Sequence, residues 1–233
     1  MNINYLKNLP HILWINMERS KDRKEYMENL FKHYNIYNHT RIDAIDGNNI
    51  NTQEINNKVS KNVYATLLSH LKSLQYYVDN VDKIGKYCMI VEDDFSFDYT
   101  KYWKKSFEEY FMEFPDDWEI LKLFNNYENL SDVPKNISIR NLKDHKTYGT
   151  NCYIIKYKTA IKILEKYKDK TEYHKKQPFF FVADRGMYES VNVYSLPLFT
   201  FRDDNDSNII LCKAWISNIQ RIKDKIKDIW MNM

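Results

Sequence analysis

The sequence predicts an α/β fold in which a sheet is flanked by helices, and two observations predict it. Short apolar runs typical of buried strands alternate along the chain with amphipathic segments at helical spacing. One run, Tyr87 to Val91, ends directly in the acidic triplet Glu92-Asp93-Asp94. Because ligands bind at the carboxyl ends of the strands in open α/β sheets, we expect the functional site at this triplet.

The chain of 233 residues is long enough for a sizeable core, and no Pro-, Gly- or Ser-rich linker divides it, so we expect one domain over 1–233. The net charge of +3, from 35 basic and 32 acidic side chains, argues against a nucleic-acid partner. The N-terminus has no apolar run of signal-peptide length and no segment approaches a membrane span, which favours a cytoplasmic protein. Cys88, Cys152 and Cys212 are far apart in apolar segments, which favours reduced core thiols.

The first predicted unit is a strand, a loop and a helix. His11 to Asn16 is typical of a strand, and Ser20 is placed to cap a helix with apolar residues at helical spacing. The loop between them carries Arg19 and Arg23 at the carboxyl end of the strand, where they are placed to hold a diphosphate. The alternative is that both arginines are solvated in the first helical turn.

Two further elements precede the acidic strand. Arg41 to Gly47 alternates apolar and polar residues and stops at a glycine, which predicts a short strand running into a turn. Ser60 to Val81 carries apolar residues at helical spacing, which predicts a long amphipathic helix. His70 lies within this helix, and a histidine at such a position is more often structural than catalytic.

The acidic triplet indicates a metal site. Three carboxylates crowded at the end of a buried strand raise one another's pKa unless a cation neutralises them, so a hard divalent metal is expected. Alternation along an extended chain puts Glu92 and Asp94 on one side and Asp93 on the other. Two of the acids at most then bind one ion while the third orients a ligand. The alternative is a solvated acidic loop after a core strand.

The chain beyond the triplet continues the α/β alternation. Aromatic residues at helical spacing from Trp103 to Phe114 predict a helix facing the core. Further strands and a helix are predicted at 118–124, 137–142, 150–156 and 160–167. Val193 to Phe199 contains Pro197 and is typical of an edge strand. A C-terminal amphipathic helix is predicted at about 213–231, docked on its own domain, with peripheral contact to a membrane surface or a partner as the alternative.

Five short motifs occur in the order found in a known family. They are Ile15-Asn16-Met17-x-Arg19-x-x-x-Arg23, Ala44-x-Asp46-Gly47, Leu68-Ser69-His70, Val91-Glu92-Asp93-Asp94, and Gly149-Thr150-x-x-Tyr153 with Ala160. Together they resemble glycosyltransferase family 25, the bacterial lipooligosaccharide and collagen galactosyltransferases, over residues 11 to 209. The resemblance implies a GT-A fold, a Rossmann-like mixed sheet flanked by helices. The activity it implies is metal-dependent, inverting transfer of a hexose, galactose or glucose, from a UDP-sugar to a glycan or glycoprotein acceptor.

The resemblance also implies roles for individual residues. The nucleotide pocket carries over to Asn16, Arg19, Arg23, Asp46 and Gly47, and Asp93 joins it from the acidic motif. Mn²⁺ or Mg²⁺ is then expected on Glu92 and Asp94.

The sequence departs from the family pattern in two places. Asn62 to Thr66 replaces the run that usually precedes Leu-Ser-His, and Arg202 to Asp206 replaces a glutamine before Ser207-x-Ile209. No histidine is available there as a third metal ligand, so we assign an aspartate, Asp206, to that position, since an oxygen donor suits these metals as well as imidazole does.

An inverting transfer also needs a general base apart from the metal. Asp184 follows the apolar run 179–183, and we expect it at the mouth of the same cleft with a raised pKa. Asp203, Asp204 and Asp206 are its rivals. The alternative is that Asp184 pairs with Arg185 or caps the following turn.

Two other functions use the same residues. The first is a sugar-nucleotide or glycan-binding module without turnover, which the altered C-terminal segment favours. The second is a metal-dependent nuclease or phosphotransferase built on the same acids. Metal-dependent binding of UDP favours a transferase, whereas binding without hydrolysis or transfer of any UDP-sugar favours the module. Cleavage of nucleic acid without affinity for UDP favours the nuclease.

Overall fold

The main feature of the computed structural model, which describes residues 3–50, 59–168, 181–202 and 213–233, is a mixed β-sheet. Its strand order is β2-β1-β3-β7-β5-β8-β6. The strands are β1 (His11–Asn16), β2 (His39–Asp43), β3 (Tyr87–Glu92), β5 (Ile120–Lys122), β6 (Arg140–Asn141), β7 (Cys152–Lys156) and β8 (Val193–Ser195). A second, small sheet pairs β4 (Phe95–Ser96) with β9 (Thr200–Phe201).

Helices cover both faces of the large sheet, as predicted. The helices are α1 (Lys21–His33), α2 (Lys61–Asp79), α3 (Val81–Ile84), α4 (Phe107–Met112), α5 (Tyr157–Lys168), α6 (Ala183–Gly186) and α7 (Lys213–Met231). Ser60 caps α2, since its hydroxyl accepts a hydrogen bond from the backbone N–H of Val63 at 3.3 Å. Among the described helices none is long and apolar enough to cross a membrane.

Strand direction brings the ends of several strands to one edge of the sheet. β1 is parallel to β2 and β3, and β5 is parallel to β8. β7 is antiparallel to both of its neighbours, β3 and β5. The carboxyl ends of the parallel strands therefore share an edge with the amino end of β7.

Two apolar layers explain why β3 is a continuous apolar run. Met89 and Val91 pack into the layer that contains residues of α1 and α7. Cys88 and Ile90 alternate with them and pack into the layer that contains residues of α2 and α5. Burial on both faces confirms the interpretation of Tyr87 to Val91 as an inner strand. Cys88 and Cys152 are buried and free, whereas Cys212 lies outside the described residues.

The helix α7 packs against the first of these layers. Ile222, Ile226 and Trp230 are buried in it. The indole Nε1–H of Trp230 donates a 3.0 Å hydrogen bond to the carbonyl oxygen of Pro197. The apolar side of this helix from Ile222 to Trp230 is thus covered by the chain's own core.

The prediction that residues 193–199 form an edge strand is wrong. β8 covers only Val193–Ser195 and lies between β5 and β6, so it is an interior strand. Pro197 comes after the strand has ended, where its missing N–H removes no hydrogen bond from the ladder. The edge position belongs to the two-residue strand β6, the remainder of the strand predicted at 137–142.

The aromatic stripe from Trp103 to Phe114 faces the core, as predicted, but it is not one continuous helix. Trp103 is 4% exposed and ends a 3₁₀ turn over Asp98–Tyr102. α4 begins only at Phe107, because Ser106 and Glu109 form a capping box that starts the helix there. The stripe therefore combines a turn and a short helix that face the same core.

Candidate active site

A cleft lies at the shared edge of the sheet. Its lining comprises Ile15, Met17, Arg19, Ser20, Arg23, Ala44, Ile45, Gly47, Asn62, Ala65, Thr66, Ser69, His70, Glu92, Asp93 and Asp94. The cleft thus brings together the arginine loop, the turn at Gly47, the Leu-Ser-His helix and the acidic triplet. Asn16 and Asp46 contact lining residues from just outside it, and Asp184 is not among the lining residues.

Asp93 joins the acidic triplet to the arginine loop. Its Oδ2 accepts a 2.8 Å hydrogen bond from the Asn16 amide, and its Oδ1 accepts one of 2.8 Å from the Arg23 guanidinium. Asn16 is 1% exposed, and its amide also donates to the carbonyl oxygen of Ser20 at 3.2 Å. Both oxygens of Asp93 therefore accept hydrogen bonds within the protein.

Arg41 completes this network and was not predicted. Its Nε donates a 2.9 Å hydrogen bond to Asn16 Oδ1, and its Nη1 pairs with Glu18 Oε2 at 2.9 Å. Pairing of β1 with β2 places Arg41 opposite Trp14, two residues from Asn16. No local signal in the sequence marks this contact, because 25 residues separate the two partners.

The Arg23–Asp93 pair should contribute strongly to stability, because each side chain is only 12% exposed. We expect Arg23→Met to lower the free energy of unfolding by about 2–4 kcal/mol, since it leaves a buried carboxylate without its cation. The double variant, in which Asp93→Asn is added to Arg23→Met, should recover part of that loss. Urea unfolding of the two single variants and the double variant measures the coupling. Simple addition of the two single losses would contradict the proposed pairing.

The turn after β2 is fixed against α2. Arg19 forms an ion pair with Asp46, whose Oδ1 accepts a 2.9 Å hydrogen bond from the N–H of Asn48 and so caps the turn Gly47–Asn49. A Cβ atom on Gly47 would meet the Asn62 side chain and lie 3.2 Å from its Cα. Only glycine therefore allows this close approach of the turn to α2.

Ser69, in the Leu-Ser-His motif, holds the same turn. Its hydroxyl accepts a 2.9 Å hydrogen bond from the N–H of Ile45 and donates one of 2.7 Å to the carbonyl oxygen of Ala65. The hydroxyl thus ties the chain just before the Asp46 turn to α2.

His70 lies behind Glu92. It is fully buried, with Nδ1 3.1 Å from the Tyr153 hydroxyl and Nε2 3.4 Å from Glu92 Oε1. Thr150 donates a 2.8 Å hydrogen bond to the same Glu92 oxygen. Burial raises the pKa of Glu92, but His70, Thr150 and Arg23 outweigh it and hold that pKa below its ordinary value. Glu92 is therefore an ionised carboxylate at neutral pH.

Asp94 has the opposite electrostatic character. Burial, followed by the charge of Glu92, raises the pKa of Asp94 to about 7, although Arg23 opposes this shift. Its Oδ1 accepts a hydrogen bond from the Asn151 amide, while the Asn151 Oδ1 atom is buried without a partner among the described residues. Negative charge is thus in excess at the end of β3, which is the environment that a divalent cation neutralises.

The predicted third ligand cannot be placed. Within the described ranges no three His, Cys, Asp or Glu side chains converge on a common point that could hold a metal ion. Asp206 and its neighbours Asp203 and Asp204 lie outside the described residues. The chain that leads to them starts beside the site, because the N–H of Arg202 donates a 2.7 Å hydrogen bond to the carbonyl oxygen of Asp94.

Asp184 lies at the start of α6, which packs against α2. Its carboxylate makes no cap for that helix; Oδ2 instead accepts a 2.7 Å hydrogen bond from the N–H of Gly149. The next residue along the chain, Thr150, donates to Glu92. Asp184 is therefore connected to the acidic triplet through two adjacent residues of the segment before β7.

Comparison with known proteins identifies the family. An uncharacterized protein of Acanthamoeba polyphaga mimivirus is 28% identical over 154 residues, which are 64% of this chain and 48% of that protein. The chain thus spans about half the length of this relative. The sequence model of a protein family, glycosyltransferase family 25 (LPS biosynthesis protein), matches residues 9–177, well over half of the chain. The chain therefore belongs to glycosyltransferase family 25.

Proposed function

We propose that this glycosyltransferase is metal-dependent and inverting, and that it moves a hexose from a UDP-sugar to a hydroxyl group of a glycan or glycoprotein. The observation that carries the proposal is a single cleft that is lined by Glu92 and Asp94, where negative charge is in excess, and also by Arg19 and Arg23. A nucleoside diphosphate is an anion that needs both a metal and cationic side chains.

The arginine loop supplies the contacts to the diphosphate. Arg23 is held by Asp93, so its guanidinium is fixed in orientation before any ligand binds. Arg19 is half-exposed and pairs with Asp46 at the cleft wall. Exchange of the Asp46 carboxylate for a diphosphate oxygen would leave Arg19 paired throughout binding.

The carboxylates fit Mn²⁺ or Mg²⁺. Both ions prefer oxygen donors, and Glu92 and Asp94 contribute carboxylates to the lining of the same cleft. When bound, the ion supplies stabilisation of the negative charge that develops on the departing diphosphate. Glu92 and Asp94 would hold it, and His70 and Thr150 would hold Glu92 in place.

Asp184 is the proposed general base. Inversion requires a carboxylate on the face of the sugar opposite the diphosphate, close to the attacking hydroxyl and separate from the metal ligands. Asp184 meets the last condition, since it lies outside the arginine-lined cleft and is held by Gly149. Its other carboxylate oxygen, Oδ1, would accept the proton from the acceptor hydroxyl.

Calorimetric titration with UDP, with and without Mn²⁺, tests the proposal. We expect UDP to bind at least about tenfold more tightly with Mn²⁺ than with chelator, because two carboxylates otherwise repel the diphosphate. ADP and GDP serve as control ligands. A screen of UDP-sugars for hydrolysis without acceptor then identifies the donor.

Each alternative function gives a distinct result. Metal-dependent UDP binding without hydrolysis or transfer of any UDP-sugar would indicate a binding module. Cleavage of nucleic acid without affinity for UDP would indicate a nuclease.

A further inference from the structure

Three consecutive residues before β7 each hold a different acid of the candidate site. The N–H of Gly149 donates to Asp184 Oδ2 at 2.7 Å, and the hydroxyl of Thr150 donates to Glu92 Oε1 at 2.8 Å. The amide of Asn151 donates to Asp94 Oδ1. One short segment thus contacts the proposed base and both proposed metal ligands.

The register of this segment is fixed by β3. The N–H of Glu92 donates a 3.0 Å hydrogen bond to the carbonyl oxygen of Asn151, which extends the antiparallel ladder one residue beyond β7. Gly149 has a φ of 90°, and a Cβ atom there would lie 3.0 Å from the Phe124 ring. The turn at Gly149 therefore requires glycine, and it aims the N–H at Asp184.

A buried lysine anchors the start of the segment. Lys122, on β5, is fully buried, and its ammonium donates to the carbonyl oxygen of Tyr148 at 2.6 Å and to the hydroxyl of Thr147 at 3.0 Å. That hydroxyl donates in turn to the carbonyl oxygen of Asn126 at 2.8 Å. Burial lowers the pKa of Lys122 to about 7, while the charge of Asp184 opposes this shift, so the ammonium lies within electrostatic reach of the proposed base.

We propose that Gly149–Asn151 is a positioning segment that fixes the proposed base relative to the two proposed metal ligands, and that Lys122 is its buried anchor. The inference rests on the function proposed above. Its physical basis is that each donor restricts the rotation of one carboxylate, and a displacement of about 1 Å at a reacting group can cost about a hundredfold in rate. Thr150 and Lys122 act through these carboxylates and have a positioning role.

Two substitutions test the segment at its two ends. Thr150→Val removes the hydroxyl and keeps the shape, so we expect the affinity for UDP in Mn²⁺ to fall by about tenfold, the cost of losing one hydrogen bond to a charged group. Thr150→Ser keeps the hydroxyl and should recover most of the loss. Lys122→Met removes the anchor, and we expect kcat to fall by about tenfold or more with the UDP affinity unchanged, because Asp184 moves and the nucleotide side does not.

Calorimetric stoichiometry separates positioning from loss of folded protein. The number of UDP sites per chain counts the folded molecules, and kcat is expressed per site. If the wild-type chain binds UDP and transfers sugar, two results together would overturn this inference and leave the proposed function standing. They are a normal kcat per site in Lys122→Met and a normal UDP affinity in Thr150→Val. If Lys122→Met does not fold, the Val and Ser variants of Thr150 still decide it. A wild-type chain without UDP binding or transfer would overturn the proposed function together with this inference.

Discussion

Asp94→Ala should abolish sugar transfer, with a fall in kcat/KM of at least about a thousandfold, because several kcal/mol of charge stabilisation at the leaving diphosphate would be lost. A chelator should have the same effect on the wild-type protein, and Mn²⁺ should reverse it. Asp82→Ala, which removes an exposed carboxylate on α3, is the matched control and should transfer normally. Full activity of the Asp94 variant in excess chelator would contradict the metal site.

Asp94 should also make the metal-free protein more stable at acidic pH than at neutral pH. The pKa of this acid is about 7 in the folded chain, above its ordinary value, so the folded state binds the proton more tightly. Its contribution to stability is present below the ordinary carboxyl range and is lost as the pH rises towards 7. Glu92, whose pKa is lowered, acts in a separate window, since its contribution is lost only at acidic pH below the ordinary range.

The difference between wild-type and Asp94→Asn protein isolates this effect from the histidines. Between pH 5 and pH 8 we expect the wild type to lose about 1–2 kcal/mol more than the variant, after allowing for screening by solvent at the cleft. Thermal unfolding in chelator across this range measures it. Parallel pH profiles for the two proteins would show that Asp94 is not crowded by the neighbouring charges.

Asp184→Asn should lower transfer by about a hundredfold or more while the affinities for UDP and metal stay nearly intact, since a positioned base contributes that much. The asparagine Oδ1 can still accept the hydrogen bond from Gly149, so the fold around α6 should persist. Glu189→Gln, at an exposed acid that pairs with Lys166, is the control for loss of one nearby charge. Near-normal transfer by Asp184→Asn, with Asp203→Asn, Asp204→Asn or Asp206→Asn inactive, would move the role of base to that residue.

The sequence predicted best the features that local pattern determines. The strand β1 begins at His11 and ends at Asn16, as predicted. Its apolar run is bounded by polar residues, and such a run is typical of a strand buried on both faces. The acidic triplet was predicted as a site because the pattern changes abruptly at the end of β3.

Features that depend on pairing across the sheet could not be predicted from such patterns. Lys122 fits an ordinary alternating strand, and its partners Thr147 and Tyr148 come within reach only through the turn before β7. His70 was interpreted as a structural residue of a helix; its place between Tyr153 and Glu92 follows from the packing of α2 on the sheet. Pro197 suggested an edge strand because the predicted strand included it. The strand ends at Ser195, and the sequence pattern does not show that end.

The position of β8 determines which part of the chain folds as a unit. The family match ends at residue 177, yet β8 lies inside the sheet, and β9 pairs with β4 immediately after the acidic triplet. A polypeptide shortened to the matched region would expose the edge of β5 and the apolar layer that Trp230 covers, which is a surface prone to aggregation. Recombinant production of this transferase therefore requires the C-terminal segment, although the family signature lies elsewhere.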